Sequence, residues 1–272
     1  MRALGYRTAV VVADLAALAS VAGVLVAAYL FLPVAIQEQL TLTHDAIRPV
    51  ALLTASYVHL SAAHLWNNVV GFASVSVVVY LTCLLLRRRR WFWTTSLCFL
   101  VAVPILVSLS SYALLATAHP GAVRIESKGF SGVVAAFGGF LFVTLLVWVR
   151  THYSREQALY VGQIVAIVLL AELLIIYAST LSILELGLVS LGIGLPLGAL
   201  GYRTLGPTAA IRTRHTVFDV GFVVLVCAML AALVYGLFPA QIVASGAVTN
   251  VYAHFAGFVW GVLFAWLLEK VA

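Results

Sequence analysis

An all-α membrane protein with about eight transmembrane helices is the fold class that this 272-residue sequence predicts, and three observations predict it. Hydrophobic side chains make up 64% of the chain and charged ones only 9%, more apolar surface than a water-soluble domain can bury. The apolar residues come in long continuous runs, and about 20 such residues cross roughly 30 Å of hydrocarbon. The runs do not alternate polar and apolar positions as membrane barrel strands do, so helices must satisfy the backbone groups.

Charged and turn-rich breaks delimit spans at 9–31, 57–86, 92–117, 131–149, 158–180, 184–201, 217–237 and 247–268. The first follows Arg2 and Arg7 and looks like a signal peptide, with Ala17-Leu18-Ala19 mimicking a cleavage site. Asp14 and the length of the run favour an uncleaved span. The second opens on a polar segment, His59 to Asn68, and stops at the cluster Arg87 to Arg90, beyond which the third begins. The fourth opens at Ser131 and stops at Arg150, and the fifth carries Glu172. The sixth is interrupted by Pro196 and by Gly187, Gly192, Gly194 and Gly198, and the eighth carries His254. With no repeat or low-complexity tail, residues 1–272 read as a single membrane domain.

Basic residues set the expected orientation, because they stay on the cytoplasmic side. With the N-terminus inside, 12 of the 15 Lys and Arg residues fall inside, and only Arg48, Arg124 and Lys128 fall outside. This sorting supports the sixth span. It also explains the net charge of +6 as membrane topology, with no nucleic-acid partner implied. The arginine cluster reads as a solvated loop facing anionic lipid. Cys83, Cys98 and Cys227 lie inside apolar runs without ligand spacing, so neither a metal nor another cofactor is expected. His44, His119, His152 and His215 fall in predicted loops and take no role.

Polar groups inside a membrane are costly, about 2.5–3.5 kcal/mol for a charge at mid-span, and mark function by default. Three clusters stand out: His59, His64 and Asn68 in the second span; Gly129-Phe130-Ser131-Gly132 in the fourth; and Ala253-His254-Phe255-Ala256-Gly257, followed by Gly261, in the eighth. At 1.5 Å per residue, Ser131 and Asn68 each lie roughly 28 Å above the inner marker of their spans, and His254 roughly 22 Å. Groups from three spans therefore share one outer layer. Asp14 and Glu172 are expected to form buried pairings with a Ser, Tyr or backbone donor.

That layer has the parts for acyl transfer. A serine hydroxyl needs a base, most often histidine, to take its proton. The developing oxyanion needs donors. His64 and Asn68, four residues apart, share a helix face and offer ring and amide N–H groups. Ser131 at a helix start adds unpaired backbone N–H groups. Gly129 and Gly132 leave space around the serine, and Gly257-x-x-x-Gly261 lets another helix approach closely. His59 reads as structural, because its helical phase is far from that of Asn68. Asn67 points away from Asn68.

The three clusters resemble the rhomboid family of intramembrane serine proteases, which carry a GxSG serine, an AHxxGxxxG histidine span and an H-x-x-x-x-H-x-x-x-N second span. The resemblance covers roughly residues 50–150 and 217–268. It implies a rhomboid-like bundle, a six-helix core plus two extra spans. Ser131 is then the nucleophile, His254 the general base and later acid, and His64 and Asn68 the oxyanion stabilisers. His59, Gly129, Gly132, Gly257 and Gly261 give structural support. The implied partners are transmembrane protein substrates cut in or near their helices, within the lipid bilayer and from the outer side. The implied site is a cell (plasma) membrane, and the lack of an organelle presequence fits a prokaryotic one. Two departures are expected to matter. Ala135 stands where family members often place a tyrosine against the histidine, and the Trp-Arg pair of the first outer loop is missing near Val50-Ala51. Two rivals stay open: a non-catalytic relative that binds membrane proteins for quality control, and a transporter or haem- or ion-binding bundle using His59, His64 and His254.

Overall fold

A computed structural model describes residues 2–43, 47–59, 61–118, 126–178, 180, 182–205, 213–241, 243–244 and 247–271. A hairpin of β1 (Arg2–Ala3) and β2 (Tyr6–Arg7) leads into α1 (Thr8–Phe31). The next connection holds α2 (Val34–Leu40), β3 (Leu42–Thr43), α3 (Pro49–Thr54) and a 3-10 turn (Ala55–Tyr57). Then come α4 (Ala62–Leu85), α5 (Arg89–Ala118), β4 (Glu126–Ser127), α6 (Ser131–His152), α7 (Arg155–Tyr177), α8 (Ile183–Leu205) and α9 (Thr213–Leu237). A hairpin of β5 (Val243–Ala244) and β6 (Ala247–Val248) precedes α10 (Val251–Glu269). Among the described residues, α1 and α4 to α10 are the eight helices long and apolar enough to cross a membrane, as a polytopic helical membrane protein requires. The loop residues His44, His119, Arg124 and Arg212 lie outside the described residues.

Helix ends depart from the apolar runs wherever a cap intervenes. The second span was expected from residue 57, yet Val58 is extended and α4 starts only at Ala62, because Ser61 caps it by accepting the His64 N–H. The eighth was expected from residue 247, but β6 occupies 247–248 and Asn250 caps α10 by accepting the Ala253 N–H. Ser154 starts α7 earlier than hydropathy suggests. His152 and His215, expected in loops, stand in the end turns of α6 and α9, since a helical backbone continues past the apolar stretch.

The chain divides into two compact units, residues 1–141 with 242–272, and residues 142–241. In the first, interlocking rings hold α4, α5 and α6 together. Phe72 meets Phe130 and Phe137 edge-on, Phe99 meets Phe137 and Phe140, and Trp91 meets Phe140 at 4.9 Å between centroids. Within lipid such shape-matched contacts, together with interhelical hydrogen bonds, drive helix association. Buried Asp14 on α1 takes a two-point ion pair from Arg89 at 2.6 Å and the Tyr80 hydroxyl at 2.7 Å. Two arginines of the cluster expected to be solvated are thus paired, Arg89 here and Arg88 with Glu269. Pro104 lies inside α5 and cannot donate to the carbonyl four residues earlier, that of Leu100. The Tyr57 hydroxyl takes that freed carbonyl, and Ser108 of α5 donates to the Leu52 carbonyl at 2.9 Å. These bonds fasten α3 and the 3-10 turn to α5. Burial pushes the Tyr57 hydroxyl pKa up to about 12, which keeps it a donor.

In the second unit, buried Asp219 on α9 accepts from Trp148 Nε1 at 3.3 Å and the Tyr153 hydroxyl at 2.8 Å. Gly162 leaves room for Leu146, and Gly192 for Ile167. Glu172 breaks the expectation of a buried pairing. Its Oε2 is buried without a hydrogen-bond partner among the described residues.

Candidate active site

Ser131 is the first residue of α6 and is partly exposed, while His254 sits in the first turn of α10 and is 6% exposed. Their side chains meet: His254 Nε2 lies 2.7 Å from Ser131 Oγ. With the proton on Nδ1, the ring accepts the serine hydroxyl hydrogen, the geometry a general base requires.

Glycines make this meeting possible. An added Cβ on Gly257 would stand 2.9 Å from the Gly132 carbonyl carbon and 3.2 Å from Ala135 Cβ. One on Gly261 would stand 2.6 Å from Ala136 Cα, and one on Gly139 would stand 2.7 Å from Val262 N. So α6 and α10 touch backbone to backbone, and Ala135, a residue with one methyl, lies in the seam. Gly132 is crowded as well, since a Cβ there would be 2.9 Å from Val107 Cγ1. The expectation that Gly132 leaves space around the serine is therefore corrected to close packing. Gly129 has φ +107°, a conformation that side chains rarely adopt. Its Cα face meets the two side chains read as donors, with His64 Nε2 2.6 Å and Asn68 Nδ2 3.3 Å from a Cβ built there. His64 and Asn68 thus converge on the residue two before Ser131.

His59 is closer to this arrangement than its expected phase allowed. It lies in the extended segment before α4, outside the helix, so helical phase does not apply. Its Nε2 accepts from Asn68 Nδ2 at 2.8 Å and from the Phe130 N–H at 3.3 Å. One amide hydrogen of Asn68 is used in this way and the second stays available. Burial and the neighbouring His64 ring, 5.1 Å away centroid to centroid, push the His59 pKa down to about 4. The ring is therefore neutral at pH 7, as an acceptor of two bonds must be. The loop carrying Gly129 is held on its other side by the Gly129 N–H, which donates to the Ala55 carbonyl at 2.9 Å, and by β4 paired with β3. The Ser131 and Gly132 N–H groups, at the start of α6, have no intrahelical acceptor.

The sequence reading passed over Phe130, whose N–H meets His59, and Asn250, whose side chain bonds Ser111 and Ser127. Asn250 did carry a signal, as a helix-capping residue one turn before the histidine. Asn67 is exposed on α4, away from the cluster. Among the described residues, no three His, Cys, Asp or Glu side chains group as a metal site. Comparison with family models, with curated proteins and with solved structures finds no match to this chain.

Proposed function

We propose that this protein is an intramembrane serine protease of the rhomboid type, with Ser131 as nucleophile and His254 as its base. The observation that carries the reading is the 2.7 Å approach of His254 Nε2 to Ser131 Oγ. In this mechanism His254 takes the hydroxyl proton as Oγ attacks the carbonyl carbon of a peptide bond. Negative charge then develops on the carbonyl oxygen, where the His64 ring, the free Asn68 hydrogen and the Ser131 N–H stabilise it. The protonated His254 hands its proton to the departing amine, leaving an acyl-enzyme. Water, deprotonated by the same ring, releases the second product.

The substrates are transmembrane proteins cut in or near a membrane helix. The N-terminus lies in the cytoplasm, and the site opens to the extracytoplasmic face of the plasma membrane. A fluorophosphonate probe applied to the purified full chain in detergent tests the reading. Labelling of wild type that disappears in both Ser131→Ala and His254→Ala is expected. Equal labelling of Ser131→Ala refutes the nucleophile, and folded but unreactive wild type moves the chain to a non-catalytic binding role.

A further inference from the structure

We propose that Asn250 is a positioning residue that holds His254 against Ser131. The inference rests on the protease reading and adds a residue to it. Asn250 caps α10 one turn before His254, and capping uses only its oxygen, Oδ1, which accepts the Ala253 N–H at 3.1 Å. Serine or aspartate would cap equally well. The amide nitrogen does something a cap does not require: Nδ2 donates to Ser111 Oγ on α5 at 2.5 Å and to Ser127 Oγ on β4 at 2.8 Å.

These bonds join the supports of the two reacting groups. Ser127 lies four residues before Ser131, and Asn250 lies four residues before His254. One amide therefore ties the strand leading into the serine helix to the first turn of the histidine helix. Ser111 is 1% exposed, and its helix presses Val107 onto Gly132, so α5 acts as a fixed base for both. The glycine seam sets how near α6 and α10 lie. Directional bonds from Trp91 to the Ala265 carbonyl and from Trp260 to Ser110 fix the later turns of α10 on α5. The Asn250 bonds do the same at the end that carries His254, where a hydrogen bond of 2.7 Å tolerates little sliding.

Asn250→Ser tests this, because serine keeps the cap but cannot span to both hydroxyls. A second variant, Ser111→Ala with Ser127→Ala, removes the acceptors and leaves the cap untouched. Fluorophosphonate labelling of the full chain in detergent, followed against probe concentration, separates the rate of reaction from probe binding. Thermal unfolding is recorded alongside. Both variants should lose about 10- to 100-fold in the maximal labelling rate with half-saturating probe concentration unchanged, and the loss should persist well below each variant's unfolding midpoint, which falls because buried hydrogen bonds are removed. Wild-type rates in either variant overturn the proposal, as does a loss that appears only in probe binding or that vanishes at temperatures where the variant is fully folded. Folded wild type that does not label at all overturns the nucleophile assignment itself, a result distinct from normal labelling in the variants.

Discussion

Replacing Gly257 with alanine adds one methyl group at the point where α10 lies flat on α6. That carbon would stand 2.9 Å from the Gly132 carbonyl carbon and nearer still to its oxygen, whereas ordinary contact begins at 3.4 Å. The obstacle is backbone and cannot rotate aside. The helices must separate locally by about 1 Å, because tightly packed interiors shift as units rather than compress. His254 is one helical turn from Gly257, so the same movement stretches its 2.7 Å bond to Ser131 past the range of useful hydrogen bonds, about 3.2 Å. A misplacement of that size costs about 100-fold in rate. Overpacking itself costs about 1–3 kcal/mol of stability. Gly194→Ala is the internal control, since nothing lies within 4 Å of a Cβ there. It should be neutral or slightly stabilising through helix propensity. Fluorophosphonate labelling and thermal unfolding in detergent read both effects. Gly257→Ala protein that labels at the wild-type rate refutes the argument that backbone contact sets the dyad distance.

Tyr57→Phe leaves the Leu100 carbonyl, freed by Pro104, without its partner, and should destabilise the protein by about 1–3 kcal/mol in thermal unfolding, whereas Tyr29→Phe serves as a comparison. An unchanged midpoint for Tyr57→Phe would show that the bond contributes nothing. The His59 pKa, lowered by burial to about 4, makes stability depend on pH. Between pH 6.5 and 4 the unfolded chain binds a proton that the folded chain excludes, so stability rises with pH through that window and is lost on acidification. The full difference is about 3 kcal/mol. Unfolding midpoints measured from pH 7 to 4 should fall less steeply in His59→Gln than in wild type, and parallel profiles would count against a neutral His59.

How much of this was legible beforehand varies by residue. Eight helices were readable because the cost of burying backbone in lipid leaves a plain mark, long apolar runs, on any sequence that spans it. Helix ends were less so. Val58 and the stretch 247–248 are apolar enough to continue a span, and local capping by Ser61 and Asn250 overrules them. Glu172 was expected to find a buried partner and its Oε2 has none among the described residues, because sequence spacing says nothing about what faces a side chain from another helix.

The sequence by itself determined the solvent in which the chain folds, the count of its spans and the residue types able to carry acyl transfer, since hydropathy and side-chain chemistry are local properties. Only the tertiary structure decided that Ser131 and His254 meet at 2.7 Å, that His59 turns back onto Asn68, and that Asn250 ties the two helix starts together. Each of those bonds joins residues from different segments. The Ser131–His254 distance follows from where glycines let α6 and α10 touch, and that is settled by three-dimensional packing rather than by order along the chain.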